Sequence, residues 1–314
     1  MEALLADGRS LLSLTGIALL ISGGFAIGQS ISGQLLPHDL HALGMDAMAL
    51  KQQTSANLVR FMFHDRVAFG GTLLAIGIAY WWLAEFSLRE GAAWAWWTFA
   101  ISGGCGFLSF LAYLGYGYLD TWHGVATLFL LPVFLSGMWR GRRLVSGTLK
   151  AASIWKSEYH AAPGPEAIGR KLLLLCGLGL AGAGFTILVV GMTFVFVPQD
   201  VIFIGIQPDK LRVISPLLVP VLAHDRAGFG GGLLSVGLIL LMIVWHAPLT
   251  RSLIEVVALM GLCGFGAALG VHFAIGYTDF IHLSPAYAGF VIFVSGTVML
   301  WRGRVSSRLL AAST

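Results

Sequence analysis

The sequence predicts an all-α integral membrane protein: eight transmembrane helices in a tandem parallel duplication of two four-helix units, both termini cytoplasmic. Three observations carry this. Of 314 residues, 57% are hydrophobic and 11% charged, with a mean hydropathy of +0.83, whereas a soluble domain carries about 25% charge. The apolar residues fall in runs long enough to cross a bilayer core, which takes about 20 helical residues. A set of polar motifs then occurs twice in the same order. This composition excludes soluble enzymes, disordered chains and nucleic-acid readers. The pI of 9.1 is what basic cytoplasmic loops produce, so the expected partner is the lipid bilayer and not nucleic acid.

The eight runs are roughly 11–36, 67–86, 94–118, 123–139, 171–197, 227–247, 253–276 and 284–301. Their middles hold no Asp, Glu, Lys or Arg, and none alternates with the period of two that a membrane strand needs. Glu2 and Asp7 spoil a basic leader segment, and the first run is too long for the core of a signal peptide, so it reads as span 1. With the N-terminus inside, thirteen basic residues lie on the inner face and six on the outer; the acids divide seven to eight. The faces are therefore +6 and −2, which matches the net +4 of the chain. Nine of the ten tryptophans sit near inner ends, as an interfacial belt does. A bacterial cytoplasmic (inner) membrane is the expected location. Cys105, Cys176 and Cys263 lie in apolar runs and imply neither a disulfide framework nor a zinc ribbon.

The repeat is explicit. His64-Asp65-Arg66-Val67-Ala68-Phe69-Gly70-Gly71 returns as His224-Asp225-Arg226-Ala227-Gly228-Phe229-Gly230-Gly231. Pro37-His38-Asp39 returns as Pro198-Gln199-Asp200, Cys105-Gly106-Phe107 as Cys263-Gly264-Phe265, and Trp139-Arg140-Gly141-Arg142 as Trp301-Arg302-Gly303-Arg304. Tyr118-Leu119-Asp120-Thr121-Trp122-His123 returns as Tyr277-Thr278-Asp279-Phe280-Ile281-His282. Four spans per half give both halves the same orientation. The expected units are 1–142, a cytoplasmic linker over 143–170 broken at Pro163-Gly164-Pro165, and 171–314.

All three polar motifs map to the outer side, with His-Asp-Arg at the outer start of spans 2 and 6. Ionisable groups near hydrocarbon are costly, and they are usually paired or functional. His64, Asp65, Arg66, His224, Asp225 and Arg226 form a candidate catalytic set: His as base, Asp orienting it, Arg clamping an anion. The plainer reading is a lock in which Asp caps a helix, Arg pairs with Asp, and His bonds a loop. Asp39, Tyr118, Asp200 and Tyr277 are candidate binding residues. Asp-x-x-His puts an acid and a histidine on one helical face, a spacing used in carboxylate metal sites. His64, Asp120 and His123, with His224, Asp279 and His282, are therefore candidate ligands for a divalent metal such as zinc, iron or manganese. The alternative there is a turn in which the acid caps the next span. Four outer histidines would also suit haem b, held non-covalently because no Cys-x-x-Cys-His occurs.

Some positions break the symmetry: Tyr113 matches His272 and His38 matches Gln199, through specialisation of one half or ordinary drift. Gly24, Gly28 and Ser32, and likewise Gly266 and Gly270, form small-residue ladders expected to serve helix contact. His160 and His246 are expected on the inner side, at the interface or in solvent. Four functions fit this sequence. One is a membrane-embedded, metal-dependent enzyme acting on a lipid or small anionic substrate. The others are a solute transporter or channel of two parallel repeats, a structural or assembly subunit, and a haem-binding electron carrier.

Overall fold

The computed structural model describes residues 7–112, 118, 121–146, 149–157 and 159–313, with the backbone alone for 112, 122 and 307–313. Among them every regular element is helical. The helices are α1 (Arg9–Ile31), α2 (Pro37–Leu43), α3 (Ala47–Gln53), α4 (Ala56–Trp82, running on through a π-helical turn, Leu83–Leu88) and α5 (Ala93–Ser109). They continue with α6 (Thr121–Gly141), α7 (Pro165–Met192), α8 (Pro198–Ile204), α9 (Pro208–Ile214), α10 (Leu218–His246), α11 (Arg251–Ile275) and α12 (Phe280–Ser313). Seven helices among the described residues are long and apolar enough to cross a membrane: α1, α4, α6, α7, α10, α11 and α12. The predicted third run, 94–118, is α5 with a 3₁₀ turn at Phe110–Ala112; most of the remainder lies outside the described residues.

Local chemistry sets the breaks. Span 1 ends at Ile31, five residues short of the predicted end, because Pro37 starts a separate helix that closes on Gly44 at φ +65°. The same device, Pro198 to Gly205 at φ +73°, bounds α8. α4 starts eleven residues before the predicted 67, where the Ser55 hydroxyl accepts the Leu58 N–H at 3.1 Å. α10 starts at Leu218 and not 227. His-Asp-Arg therefore lies two to three turns inside each helix, not at its start. The apolar turns ahead of the motif (Leu58, Phe61 and Met62; Val219, Val221 and Leu222) are buried. They carry the helix through a second layer formed by α2, α3, α8 and α9. α7 likewise starts at Pro165, inside the expected linker.

α4 and α10 are the interior helices. Their apolar segments are 72% buried, against 22–33% for the other five spans, whose outer faces are left to lipid. α4 packs on α1, α10 on α7, and the two pack on each other; α11 leans on α4 and α5 on α10. Glycine permits the contacts. A Cβ on Gly16 would lie 2.8 Å from the Gly77 carbonyl, and one on Gly70 would lie 2.9 Å from the Gly23 carbonyl. On the other side, Gly177 and Gly184 meet Gly237 and Gly230 in the same way. Gly71 faces the Cys263 carbonyl of α11 at 2.8 Å, and Gly231 faces Ser109 of α5. The repeated Gly-Gly thus lets each interior helix approach two neighbours. The ladders expected from sequence are corrected: nothing lies within 4 Å of a Cβ at Gly24, Gly28, Gly266 or Gly270. Those stripes face outward, and spacing alone does not reveal which stripe of a helix faces a neighbour. Gly230→Val should destabilise the fold by about 1–3 kcal/mol, read as a lowered midpoint in detergent-solubilised thermal unfolding, whereas Gly24→Val should leave it unchanged.

At the end bearing the termini, Arg170 is buried. It contacts Glu166 at 3.0 Å and donates to the Ala247 carbonyl at 2.8 Å. Tyr159 donates to the same Glu166 at 2.7 Å. His246, expected at an interface, is 5% exposed and stacks on Trp94. The linker residues fold over it, and its Nε2 lies 3.0 Å from the Ile154 carbonyl.

Candidate functional site

The motifs converge at the opposite end of the bundle. Asp39 sits in the first turn of α2 and Asp200 in the first turn of α8; both are fully buried, not in an open loop. Arg66 Nη2 lies 2.6 Å from Asp39 Oδ2, and Arg66 Nε lies 2.8 Å from Asp225 Oδ2. On the other side Arg226 Nη1 contacts Asp200, and Arg226 Nε lies 3.5 Å from Asp65 Oδ2. Each arginine thus holds one aspartate from its own half of the chain and one from the other. The Tyr118 hydroxyl donates to Asp39 Oδ1 at 3.0 Å, and the Tyr277 hydroxyl donates to Asp200 Oδ1 at 2.9 Å. Arg226 also donates to the Val195 carbonyl at 2.8 Å. Val195 has φ +65°, unusual for a β-branched residue, and this conformation aims its carbonyl at the guanidinium.

Tyr277 follows the end of α11. Burial, and then the adjacent Asp200 carboxylate, push its hydroxyl pKa well above the ordinary value, so it stays a donor. A folded pKa raised in this way contributes stability fully below the unfolded value near 10, and that contribution is lost as the pH climbs from there toward the folded value. The melting midpoint should therefore fall above about pH 10, and Tyr277→Phe should reduce that fall.

The histidines form two unlike groups. His64 Nδ1 is 2.9 Å from Asp65 Oδ1, and His64 Nε2 is 2.9 Å from His272 Nε2. His272 Nδ1 is 2.6 Å from the Ala268 carbonyl oxygen. His282 completes the group: its ring stacks on Tyr277 at 4.5 Å, and the ligand nitrogens of His64, His272 and His282 all lie within 4.8 Å of one another. The second group is His224 and His123, whose ring centres are 5.0 Å apart, with His38 beside His123 at 5.8 Å and Tyr118 beside His224 at 5.5 Å. His224 Nε2 stands 3.9 Å from Asp225 Oδ1, so the close His64–Asp65 contact is not repeated here.

The candidate metal ligands are therefore regrouped. His64 and His282 come together, but from different halves, and His272 joins them. His123 and His224 stand apart from them as a pair. Asp279 is exposed and its Oδ1 accepts the His282 N–H at 2.7 Å, so it is the helix cap that the plainer reading expected. Asp120 lies outside the described residues. His272 was missed as a ligand. Its signal was the Tyr113/His272 break in the repeat, which has no motif around it.

Two cavities flank the site. The larger, about 690 Å³, adjoins His64, His272 and His282 and is otherwise mainly apolar; exposed residues of α7 and α12 (Leu175, Gly179, Pro285 and Ala288) form its rim. The smaller, about 270 Å³, adjoins His38, Arg66, His123 and Asp225 and is rimmed by α1 and α6. No protein-family model, curated protein or solved structure matches the chain. Its function is therefore argued from this geometry.

Proposed function

We propose that the protein is a membrane-embedded enzyme. It holds a divalent metal on His64, His272 and His282 and acts on a lipid-soluble substrate that reaches the metal from the bilayer through the larger cavity. The observation that carries this is the pair of facing imidazoles. An ionised carboxylate and a carbonyl can only accept, so the Nδ1 atoms of His64 and His272 carry the protons. Their Nε2 atoms then face each other as lone pairs at 2.9 Å. A cation between them relieves that repulsion, and a third histidine nitrogen in reach makes a metal ion the better fit than a shared proton. Ligating histidines characteristically hold their other ring nitrogen on a carboxylate or backbone carbonyl in this way. A metal–nitrogen length near 2.0–2.1 Å puts tetrahedral ligands about 3.3 Å apart, so binding opens the 2.9 Å His64–His272 pair by about 0.4 Å and draws His282 in from within the 4.8 Å span of the cluster. Charge supports the same reading. Asp39, Asp65, Asp200 and Asp225 are buried with Arg66 and Arg226; four carboxyl groups share two guanidiniums, which leaves negative charge in the cluster for a cation to balance. Three protein ligands leave a fourth position for water or substrate.

The substrate head is neutral in this reading, not anionic. Among the described residues Arg226 is the one Arg or Lys lining the larger cavity, and it is committed to Asp200, Asp65 and the Val195 carbonyl. The matching contacts of Arg66 with Asp39 and Tyr118, and of Arg226 with Asp200 and Tyr277, support two duplicated four-helix units, eight spans in all. The excess of Lys and Arg at the end bearing the termini supports a cytoplasmic location for both, in a bacterial inner membrane. A transport path between the halves has less support, because the crossed Arg–Asp pairs fill that position. Haem b is the second reading. One observation favours it: His64 and His282 rings stand 6.3 Å apart, centre to centre, beside a cavity in the size range of cofactor sites. Elemental analysis and a visible spectrum of the purified protein decide. A stoichiometric transition metal without a Soret band supports the enzyme reading, a Soret band supports haem, and neither metal nor Soret band sinks both.

A further inference from the structure

The two cavities occupy matched places, yet their walls differ position by position. Where the larger has Cys176, Ala183, Leu240 and Met260, the smaller has Thr15, Ser22, Tyr80 and Ser102 at the equivalent positions of the repeat. Each exchange adds a polar hydrogen-bonding oxygen. Thr15, Tyr80 and Ser102 are each 3% exposed or less. They form part of a connected set: Tyr80 Oη lies 2.9 Å from Ser102 Oγ, Ser102 donates to the Thr98 carbonyl at 2.6 Å, and Ser235 donates to the Ser102 carbonyl at 3.0 Å. The plainer reading is that helical Ser and Thr satisfy themselves on nearby carbonyls. It accounts for each residue singly, but not for their gathering on one cavity: only Thr72 and Thr186 of the larger, against Gly232 and Phe25 of the smaller, run the other way among the described residues.

Two further observations mark the ends of this line. At the motif end, Arg66 lines the cavity and its buried Nη1 makes no hydrogen bond among the described residues. A buried cationic donor of this kind requires an acceptor. Past the other end, outside the cavity's lining and five residues beyond Tyr80, Glu85 accepts from Ser13 at 2.9 Å and lies 3.6 Å from Arg9, with its side chain 36% exposed. The matching positions of the second half are Leu174 and Trp245. Arg66 and Tyr80 are fourteen residues apart on one helix, about 21 Å at 1.5 Å per residue. That is most of a hydrocarbon core of about 30 Å.

We propose that the smaller cavity is a hydrated path. It carries water, and protons relayed through that water, from the Ser13–Glu85 pair at the end bearing the termini to Arg66 at the motif end. Water fits this line because Thr15 and Ser102 spend their hydrogens on the Leu11 and Thr98 carbonyls, which leaves Tyr80 to donate to Ser102, so these oxygens keep lone pairs, while Arg66 presents a hydrogen; a buried water needs two to four such partners. The path stands independently of the metal reading, since among the described residues lining it are none of His64, His272 and His282.

Cysteine accessibility to the silver ion, a small water-borne thiol probe, tests this in membrane vesicles. Cys105 and Cys263 are changed to alanine, and Cys176 is kept as the internal control, because it occupies the position of Thr15 in the other cavity. Thr15→Cys and Ser109→Cys are the reporters; monodispersity and an unchanged thermal unfolding midpoint confirm that each variant is folded. The expected result is modification of both reporters at least tenfold faster than of Cys176. Adding Tyr80→Leu and Ser102→Met, which gives this cavity the floor of the other, should slow Ser109→Cys at least tenfold when silver is added from the side bearing the termini. Reporters as slow as Cys176, or a Ser109→Cys rate indifferent to the altered floor, would overturn the proposal. Loss of metal in His272→Ala with the silver pattern intact leaves it standing.

Discussion

Arg66→Ala is expected to cost about 3–5 kcal/mol of stability, the usual penalty for removing one partner of a buried ion pair. Total stability is on the order of 5–15 kcal/mol, so such a loss removes a large share of it. Two features place Arg66 at the high end. Its guanidinium holds Asp39 and Asp225 at 2.6 and 2.8 Å from two different nitrogens, so alanine strands two carboxylates. It also joins a short helix of one half to the interior helix of the other, so both layers and both halves lose a tie. Arg66→Lys should recover little, because an ammonium is one point charge and cannot present two donors in a fixed fork. Adding Asp39→Asn and Asp225→Asn to Arg66→Met should recover part of the loss, since the stranded charges are then gone. Arg226→Ala should behave in the same way through Asp200, Asp65 and the Val195 carbonyl. Thermal or denaturant unfolding in detergent is the measurement, and an Arg66→Ala midpoint equal to the parent's would refute the assignment.

His272→Ala is expected to abolish stoichiometric metal binding while leaving the fold intact. The side chain reaches its neighbours through ring nitrogens, and the helix around it is anchored elsewhere, by Val257, Met260 and Phe265 in the core. Asp65→Asn should weaken metal binding by about 10–100-fold, the usual cost of losing a carboxylate that orients a ligating histidine. That variant also disturbs Arg226, so its midpoint must be measured beside its affinity. His224→Ala should keep the metal, because His224 belongs to the other group. Metal retained by His272→Ala but lost from His224→Ala would place the centre at the wrong pair.

Much of this site was legible in the chain. His64-Asp65-Arg66 and its copy stood out because charge is scarce and the same residues were written twice. The expected pairing of Arg with Asp occurs, although the partners come from both halves. Less visible was the depth of the motif. Hydropathy places a helix start where polarity falls, and here the polar triplet lies inside a helix that starts earlier, among apolar residues buried by a second layer. Glycine spacing was misread at Gly24 and Gly28, since every glycine four residues from another looks alike until a neighbour is present. Asp279 has the metal-ligand spacing with His282, yet it caps the helix, because both roles use the same short interval.

The sequence alone determined the solvent, the helical class and the set of polar residues with no place in hydrocarbon. Those follow from composition and period, which are local properties. Only the tertiary structure decided which histidines meet. His64 and His282 lie 218 positions apart, and they come together because His282 opens α12 just after the end of α11, and α4, from the other half, packs across Gly71 on α11. His272 joins them from that same helix, and its counterpart Tyr113 cannot be recognised as a lost partner until the pairing is known. Proximity between distant segments is set by packing, and packing is a property of surfaces that no single segment carries.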